Sequence, residues 1–132
     1  MRPFAIWLAA FVVVFGVFAF LANTVRETDE VFVLVDSSFA MQDVWTRVAV
    51  ELDRIDDDRY SEFALATEKS PVHGYQERLR IGDVVPFAPC DNDRVDDYPQ
   101  IETADRLVMI TREGSCLTEG LEGDWEIVEL EP

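Results

Sequence analysis

The stretch that decides the fold runs from Val31 to Met41 and reads VFVLVDSSFAM. Its first five residues form a continuous apolar run rich in Val, which is typical of a strand buried on both faces of a parallel sheet. The run ends in Asp-Ser-Ser at residues 36–38, and from Ala40 onward apolar residues recur at steps of three and four. A buried strand therefore brings one carboxylate and two hydroxyls to its tip, directly before an amphipathic helix.

The same periodicities predict the rest of the domain. The helix is expected to end near Asp56, with Ser37 or Ser38 capping its first turn. Further strands are predicted over residues 61–67, 77–87, 106–111 and 125–130, with loops over 69–75 and 89–103. Gly82 and Pro86 make the second of these an edge or bulged strand. We expect an α/β fold: a small, mostly parallel sheet with one main amphipathic helix, and one sheet face open or covered by a partner.

The amino-terminal segment Phe4 to Ala22 has nineteen residues and no charge. At ~1.5 Å per residue it matches the ~30 Å hydrocarbon core of a bilayer. A cleaved signal peptide is the alternative, with a shorter core of ~7–15 residues and a small-x-small cleavage site. Because this core is longer and Phe20 spoils the site at its end, we favour a retained anchor. Residues 1–26 are then a transmembrane anchor with the start of a linker, and residues 27–132 an α/β domain.

Two stripes of side chains are predicted along this helix. Small residues let a second helix approach closely, so the stripe that carries them is expected to contact other membrane protein subunits. Its interaction residues are Ala5, Ala9, Gly16 and Ala19, with Val12 and Asn23 on the same face. The other stripe consists of Phe4, Trp7, Phe11, Phe15 and Phe18.

Charge restricts the partners and the location of the domain. All 27 acidic residues but only nine of the 11 basic residues lie in 27–132, which gives that part a formal charge of −18. Nucleic acid and anionic lipid head groups would be repelled. Arg2 precedes the apolar segment, whereas Arg26 follows it among acidic residues. We therefore expect a single-pass membrane protein whose carboxyl-terminal domain lies outside the cytoplasm, in the periplasm or the extracellular space.

Cys90 and Cys116 lie beside turn-forming residues in the predicted domain. In an oxidising compartment they could pair and close a loop; two unpaired thiols are the alternative. Their spacing fits neither a C-x-x-C metal motif nor a C-x-x-C redox motif.

The stretch VFVLVDSSFAMQDVWTRVAVELD resembles the opening of a von Willebrand factor A domain, where an apolar strand ends in Asp-x-Ser-x-Ser before an amphipathic helix. The stretches DRYSEFALATEKS, RLRIGDVVPFAP and ADRLVMITREG resemble the second strand, the short antiparallel third strand and the fourth strand of that family. The resemblance covers about residues 31–112 and is specific over the first dozen. It implies a trimmed fold of this family and a metal-dependent adhesion site.

The metal site implied by the resemblance is degenerate. Asp36 and Ser38 match its first two positions, but the third, a Ser in the family, is Ala40. Arg112 stands where the family places an Asp after the fourth strand, so we expect it to pair with Asp36 in place of a metal. Mg²⁺ needs several hard oxygen ligands, so no cofactor is predicted, and Mg²⁺ at Asp36 and Ser38 is the disfavoured alternative.

Other candidate chemistry is weak. Asp91, Asp93 and Glu102 stand at places one, three and twelve of a calcium loop, but the sixth-place Gly is missing, which favours a solvated acidic loop. The acidic run 56–58 is read as a solvated helix end. His73 is the only histidine and has no metal-ligand or nucleophile motif around it.

From the sequence we expect that the protein is not an enzyme. The favoured function is a non-catalytic accessory or scaffolding subunit of a membrane protein complex. The alternative is a metal-dependent, adhesion-type receptor domain, and a hydrolase ranks third.

Overall fold

The computed structural model describes residues 2–25 and 27–132. Its helices are α1 (Arg2–Thr24), α2 (Trp45–Ile55) and the four-residue α3 (Gln100–Thr103). Its strands are β1 (Asp29–Val35), β2 (Ser61–Thr67), β3 (Pro71–Gln76), β4 (Arg106–Arg112) and β5 (Trp125–Leu130). Single turns of 3₁₀ helix lie at Phe39–Met41, Val95–Asp97 and Cys116–Thr118.

The strands form one mixed sheet in the order β3-β2-β1-β4-β5. Central β1 runs parallel to β2, with Val35 opposite Thr67, and parallel to β4, with Val35 opposite Ile110. β5 runs parallel to β4, and β3 runs antiparallel to β2 at the other edge. The predicted α/β class with a small, mostly parallel sheet is therefore confirmed for the described residues.

One face of the sheet is covered by α2. Val48, Leu52 and Ile55 recur along α2 and are buried against the sheet. They meet the side chains of β1 that point to this face, such as Val33, and Phe63 of β2. Burial of such side chains contributes ~1.5–3 kcal/mol each, which explains why α2 is stable at only eleven residues.

The opposite face is covered by irregular chain, so the expectation that one face is open or covered by a partner is wrong. Phe32 and Leu34 of β1 pack there with Val95 and Leu117, which belong to the 3₁₀ turns before and after β4. Tyr98 closes the layer, with its ring centroid 5.6 Å from that of Phe32. The loops cover this face with isolated apolar residues that show no helical periodicity. The sequence pattern therefore did not predict that they would cover the sheet.

The third strand lies six residues earlier than its predicted start. Residues 71–76 form β3, although residues 69–75 were predicted as a loop, and the predicted strand over 77–87 is irregular. Pro71 is the first residue of β3, and the pairing with β2 shifts register around Leu65. An edge strand tolerates Pro at its start and irregular pairing, so the turn-forming residues were compatible with a strand.

The chain enters α2 later than predicted. The 3₁₀ turn Phe39–Met41 comes first, and α2 begins only at Trp45. Ser38 precedes the 3₁₀ turn, but its hydroxyl makes no capping hydrogen bond, so the predicted serine cap is wrong for this residue. Asp36 holds this turn instead.

Among the described residues, one helix is long and apolar enough to cross a membrane: the span Pro3–Thr24 within α1. The most apolar part of this span is not buried against any other described part of the chain. On this helix the rings of Phe11 and Phe15 contact each other, with centroids 4.8 Å apart.

Candidate site at the carboxyl edge of the sheet

Three parallel strands deliver polar side chains to one edge of the sheet. Asp36 follows β1, Glu68 follows β2, and Thr111 lies near the end of β4. The carboxyl ends of parallel strands meet at one edge, which is where open α/β sheets bind ligands. All three side chains are almost completely buried, with 0–1% of each residue exposed. This carboxyl edge is the candidate site.

Asp36 is the centre of a hydrogen-bond network. Its Oδ1 accepts a bond from the backbone N–H of Ser38 at 2.8 Å. Its Oδ2 accepts bonds from the hydroxyls of Thr111 at 3.0 Å and Ser115 at 2.7 Å. A buried carboxylate is tolerated only when its oxygens are bonded in this way. Asp36 therefore holds the turn after β1 and attaches it to β4 and to the loop that follows β4.

Arg112 does not pair with Asp36, so that prediction is wrong. Its Nη1 donates to both carboxylate oxygens of Asp43, at 2.7 and 2.9 Å, and to the carbonyl of Ala40 at 2.9 Å. Successive side chains of a strand point to opposite faces. Because Thr111 points toward Asp36, its neighbour Arg112 points away and reaches the turn before α2 instead.

A second buried carboxylate, Glu68, was missed by the sequence analysis. Its Oε2 accepts bonds from the N–H of Ser37 at 2.8 Å and from the Ser37 hydroxyl at 3.0 Å. Its Oε1 forms an ion pair with Lys69, whose Nζ also lies 3.3 Å from the Ser37 hydroxyl and 4.9 Å above the ring of Phe87. The available signal was position: Glu68 directly follows a strand that is buried over its last five residues.

Burial and the charge of Glu68 act together on a nearby phenol. Tyr98 donates a hydrogen bond from its hydroxyl to the carbonyl of Thr67, at 2.6 Å. Its pKa is raised, first by burial and then by the negative charge of Glu68, while Arg94 acts in the opposite direction. Tyr98 therefore stays protonated at neutral pH and ties the covering loops to the end of β2.

A strap of residues 84–90 crosses the carboxyl edge. The N–H of Phe87 donates to the carbonyl of Ser37 at 2.8 Å, and the N–H of Phe39 donates to the carbonyl of Ala88 at 3.0 Å. Ala88 has a φ of 60°, a region that non-glycine residues rarely adopt, so these contacts hold the strap in a strained conformation. The strap covers the serines after β1 and leaves Val85, Phe87 and the neighbouring Phe39 more than half exposed.

A disulfide between Cys90 and Cys116 closes the strap onto the loop that follows β4. The two Cα atoms are 6.0 Å apart, and Cys90 Sγ lies 3.6 Å from the hydroxyl of Ser115. Ser115 is the same residue that donates to Asp36. The covalent link and the hydrogen-bond network therefore fix the same loop.

The donor set at Asp36 fits a divalent metal poorly. Both oxygens of Asp36 already accept hydrogen bonds, and Ala40 supplies no side-chain ligand. Among the described residues no group of three or more His, Cys, Asp or Glu side chains is placed to hold a metal ion. Beside Asp36, the buried hydroxyl of Ser38 has no hydrogen-bond partner among the described residues.

The other candidate residues are held by local bonds. Asp91 Oδ1 accepts the N–H of Asp93 at 3.0 Å, which is a turn within the loop. His73 lies on β3, with Nε2 accepting the N–H of Arg80 at 3.2 Å and Nδ1 lying 2.8 Å from the carbonyl of Gly74. This pattern assigns the ring proton to Nδ1.

The acidic run at residues 56–58 is a solvated helix end only in part, because Asp57 and Asp58 are exposed whereas Asp56 is buried. Asp56 is only 8% exposed, and its carboxylate accepts the N–H of Leu79 at 3.2 Å and lies 3.4 Å from Nη1 of Arg78. Asp58 accepts bonds from the N–H of Tyr60 and the hydroxyl of Ser61. These carboxylates hold the chain between elements at the amino edge of the sheet.

The four small residues of the predicted stripe all lie on α1 and are exposed: Ala5, Ala9, Gly16 and Ala19. A Cβ added at Gly16 would meet no atom within 4 Å. The surface around Gly16 is therefore open in the single chain.

The fold and the edge define an α/β domain with a closed polar network, following an apolar helix. Comparison of the chain with protein-family models, with curated proteins and with solved structures finds no match.

Proposed function

We propose that the chain is a membrane-anchored, non-catalytic accessory or scaffolding subunit of a membrane protein complex. The observation that carries this proposal is α1, whose span Pro3–Thr24 is apolar, long enough to cross a bilayer and unburied. Exposure of such an apolar surface to water is energetically unfavourable, whereas a bilayer together with a neighbouring helix would cover it. In this proposal the contact face consists of the small residues Ala5, Ala9, Gly16 and Ala19.

The carboxyl edge supports a structural role for its polar groups. Asp36 and Glu68 accept bonds from the turn after β1, and those bonds fix the position of loops. A catalytic group would need a reactive atom directed at an accessible substrate, whereas these carboxylates are buried beneath the strap.

Location outside the cytoplasm is part of the proposal. A Cys90–Cys116 disulfide persists in oxidising compartments and is rarely stable in a reducing cytosol. The strongly acidic domain also suits a surface that must stay soluble beside a membrane.

The von Willebrand factor A-like relationship is proposed on two observations. The acidic tip Asp36 stands at the end of a central parallel strand, and a short antiparallel strand, β3, pairs with β2. In this proposal the adhesion site is replaced by the network around Asp36, and the domain keeps the interaction role without the metal.

Gly16→Leu tests the proposed association. A bulky side chain at mid-helix would separate α1 from a neighbouring helix and weaken the contact by ~1–2 kcal/mol. Phe11→Leu, on the other stripe, is the matched control because it changes an exposed apolar residue without filling the small-residue face. Each variant and the parent chain are purified in mild detergent from native membranes, and the co-purifying subunits are measured by quantitative mass spectrometry.

The expected result is loss of specific subunits with Gly16→Leu and their retention with Phe11→Leu. Retention of every subunit by Gly16→Leu would contradict the proposal, as would recovery of the parent chain alone.

A metal-dependent receptor domain is the second candidate, and one observation favours it: the Ser38 hydroxyl is buried beside Asp36 and has no hydrogen-bond partner in the part of the chain that the structure describes. Calorimetric titration of the full chain with Mg²⁺, Mn²⁺ and Ca²⁺ separates the two candidates. We expect no binding to the parent. Binding that disappears in both Asp36→Ala and Ser38→Ala would establish the receptor instead.

A further inference from the structure

The outer edge of β5 is an unpaired strand edge. β5 pairs with β4 over six consecutive residues, from Trp125 opposite Leu107 to Leu130 opposite Arg112, without a shift in register. It is the last strand of the sheet, and no described residue forms a backbone hydrogen bond to its outer side. Such an edge presents N–H and C=O groups that can bind another extended chain.

The two edges of the sheet differ in how they resist such pairing. β3, at the opposite edge, begins with Pro71, contains Gly74 and pairs irregularly with β2. Those are devices that make an edge a poor template. β5 is regular, and its exposed residues include Ile127, which is 42% exposed. The contrast singles out β5 as the edge suited to receive a strand.

The surroundings of β5 define the chemistry of a partner. A groove between α2 and β5 is lined by three carboxylates, one guanidinium and two apolar side chains. The charged residues are Arg47, Glu51, Glu129 and Glu131, and the apolar residues are Val50 and Leu130. Val50 is 65% exposed there. The groove therefore combines apolar contact with excess negative charge.

We propose that the outer edge of β5 binds an extended segment of a partner protein in which basic and apolar residues alternate. Alternate side chains of an added strand fall on opposite faces of the sheet, so the apolar set on the α2 side would reach Val50, while the basic set on the other side would lie beside Glu129. A second copy of this chain would bring like charges together at the same edge, which disfavours self-pairing.

This inference deepens the proposed accessory role and rests on it for the identity of the partner as another subunit. The binding itself does not use α1. Failure at β5 and failure of helix association in Gly16→Leu are therefore separate outcomes.

The test uses the full chain in a non-ionic detergent and a synthetic acetylated and amidated hexapeptide, Lys-Val-Lys-Val-Lys-Val. Amide hydrogen exchange is followed by mass spectrometry. With the peptide at ~10 times its Kd, exchange at residues 125–130 should slow by about tenfold, because bound ligand suppresses opening in proportion to saturation. Exchange at residues 71–76 should not change.

The decisive control is the same hexapeptide with the backbone nitrogens of all six residues methylated, which keeps the charge but removes the backbone donors on both edges of the strand. It should give no protection at β5. Equal protection by the methylated peptide would show that attraction is only electrostatic and would overturn the proposal. Protection confined to β3, or none at either edge, would also overturn it.

Two pairs of variants locate the contact. Ile127→Lys puts a repelling charge on the edge, and Val85→Lys makes the same change in net charge on the strap, at a residue that is 62% exposed. Glu129→Lys and Glu119→Lys form a second pair in case the first alters folding. The β5 member of each pair should weaken peptide binding by about tenfold more than its control, as expected for a charge in contact with the ligand. Equal weakening within both pairs would refute binding at β5.

Discussion

Replacing Asp36 with Ala should destabilise the domain far more than an ordinary surface change. The carboxylate accepts three bonds, from the N–H of Ser38 and the hydroxyls of Thr111 and Ser115, in a fully buried position. Each donor left unsatisfied costs ~1–3 kcal/mol. The N–H of Ser38 cannot turn to another acceptor and bears that full cost. The two hydroxyls can rotate, so each loses only a bond worth ~1 kcal/mol, and we expect a total of ~3–5 kcal/mol.

The assay is urea unfolding of the full chain in a non-ionic detergent, followed by tryptophan fluorescence. Asp91→Ala is a matched control because Asp91 also accepts the N–H two residues later, at 3.0 Å, but is exposed. The control should change the free energy of unfolding by less than ~0.5 kcal/mol.

A loss below ~1 kcal/mol in Asp36→Ala would refute the view that this network holds the carboxyl edge together. A different outcome would be equally informative: if Mg²⁺ stabilised the parent but not Asp36→Ala, the carboxylate would be a metal ligand.

Three further results are expected. Replacing Cys90 and Cys116 by Ser opens a loop with a sequence separation of 26 residues. This should lower the free energy of unfolding by about 3.5 kcal/mol on the chain-entropy model, measured in the same urea assay. No change would mean that the strap is held by other contacts. The raised pKa of Tyr98 means that the folded chain keeps this proton while the unfolded chain loses it, so stability should fall as pH rises above ~10, and Tyr98→Phe should reduce that fall. Tyr98→Phe should also cost ~1 kcal/mol at neutral pH through the lost bond to Thr67, and tyrosinate absorbance checks the titration. Finally, the chain should keep its full mass and resist alkaline extraction from membranes, whereas a soluble chain that starts near Asn23 would establish cleavage.

The sequence predicted the strands that carry a continuous apolar run or a regular alternation of polar and apolar residues. β2 and β5 were predicted with their observed bounds, and β4 extends only to Arg112 beyond its predicted end. These strands can be recognised from the sequence because burial on one or both faces determines which residue types occur along them. β3 was missed because Pro71 and Gly74 are turn formers, and only pairing with β2 makes them part of a strand.

The candidate site was predicted in part. Asp36 and its position at a strand tip could be read from the switch in periodicity. Its partners could not, since Thr111 and Ser115 lie 75 and 79 residues away. The error over Arg112 has a simple cause: a one-residue step along a strand reverses the direction of the side chain, and the sequence alone did not fix which of the two residues faces Asp36.

The attachment of β1 has a mechanical consequence. Only residues 25–28 separate the end of α1 from the start of β1, the central strand of the sheet. A pull exerted through a fixed α1 enters the domain at one end of β1 and along its length. The ladders to β2 and β4 flank that strand and run parallel to it, so their hydrogen bonds are loaded together in shear and do not open one at a time. The linker thus transmits force to the strand that is held on both sides, and an edge strand in its place would peel away under a smaller load.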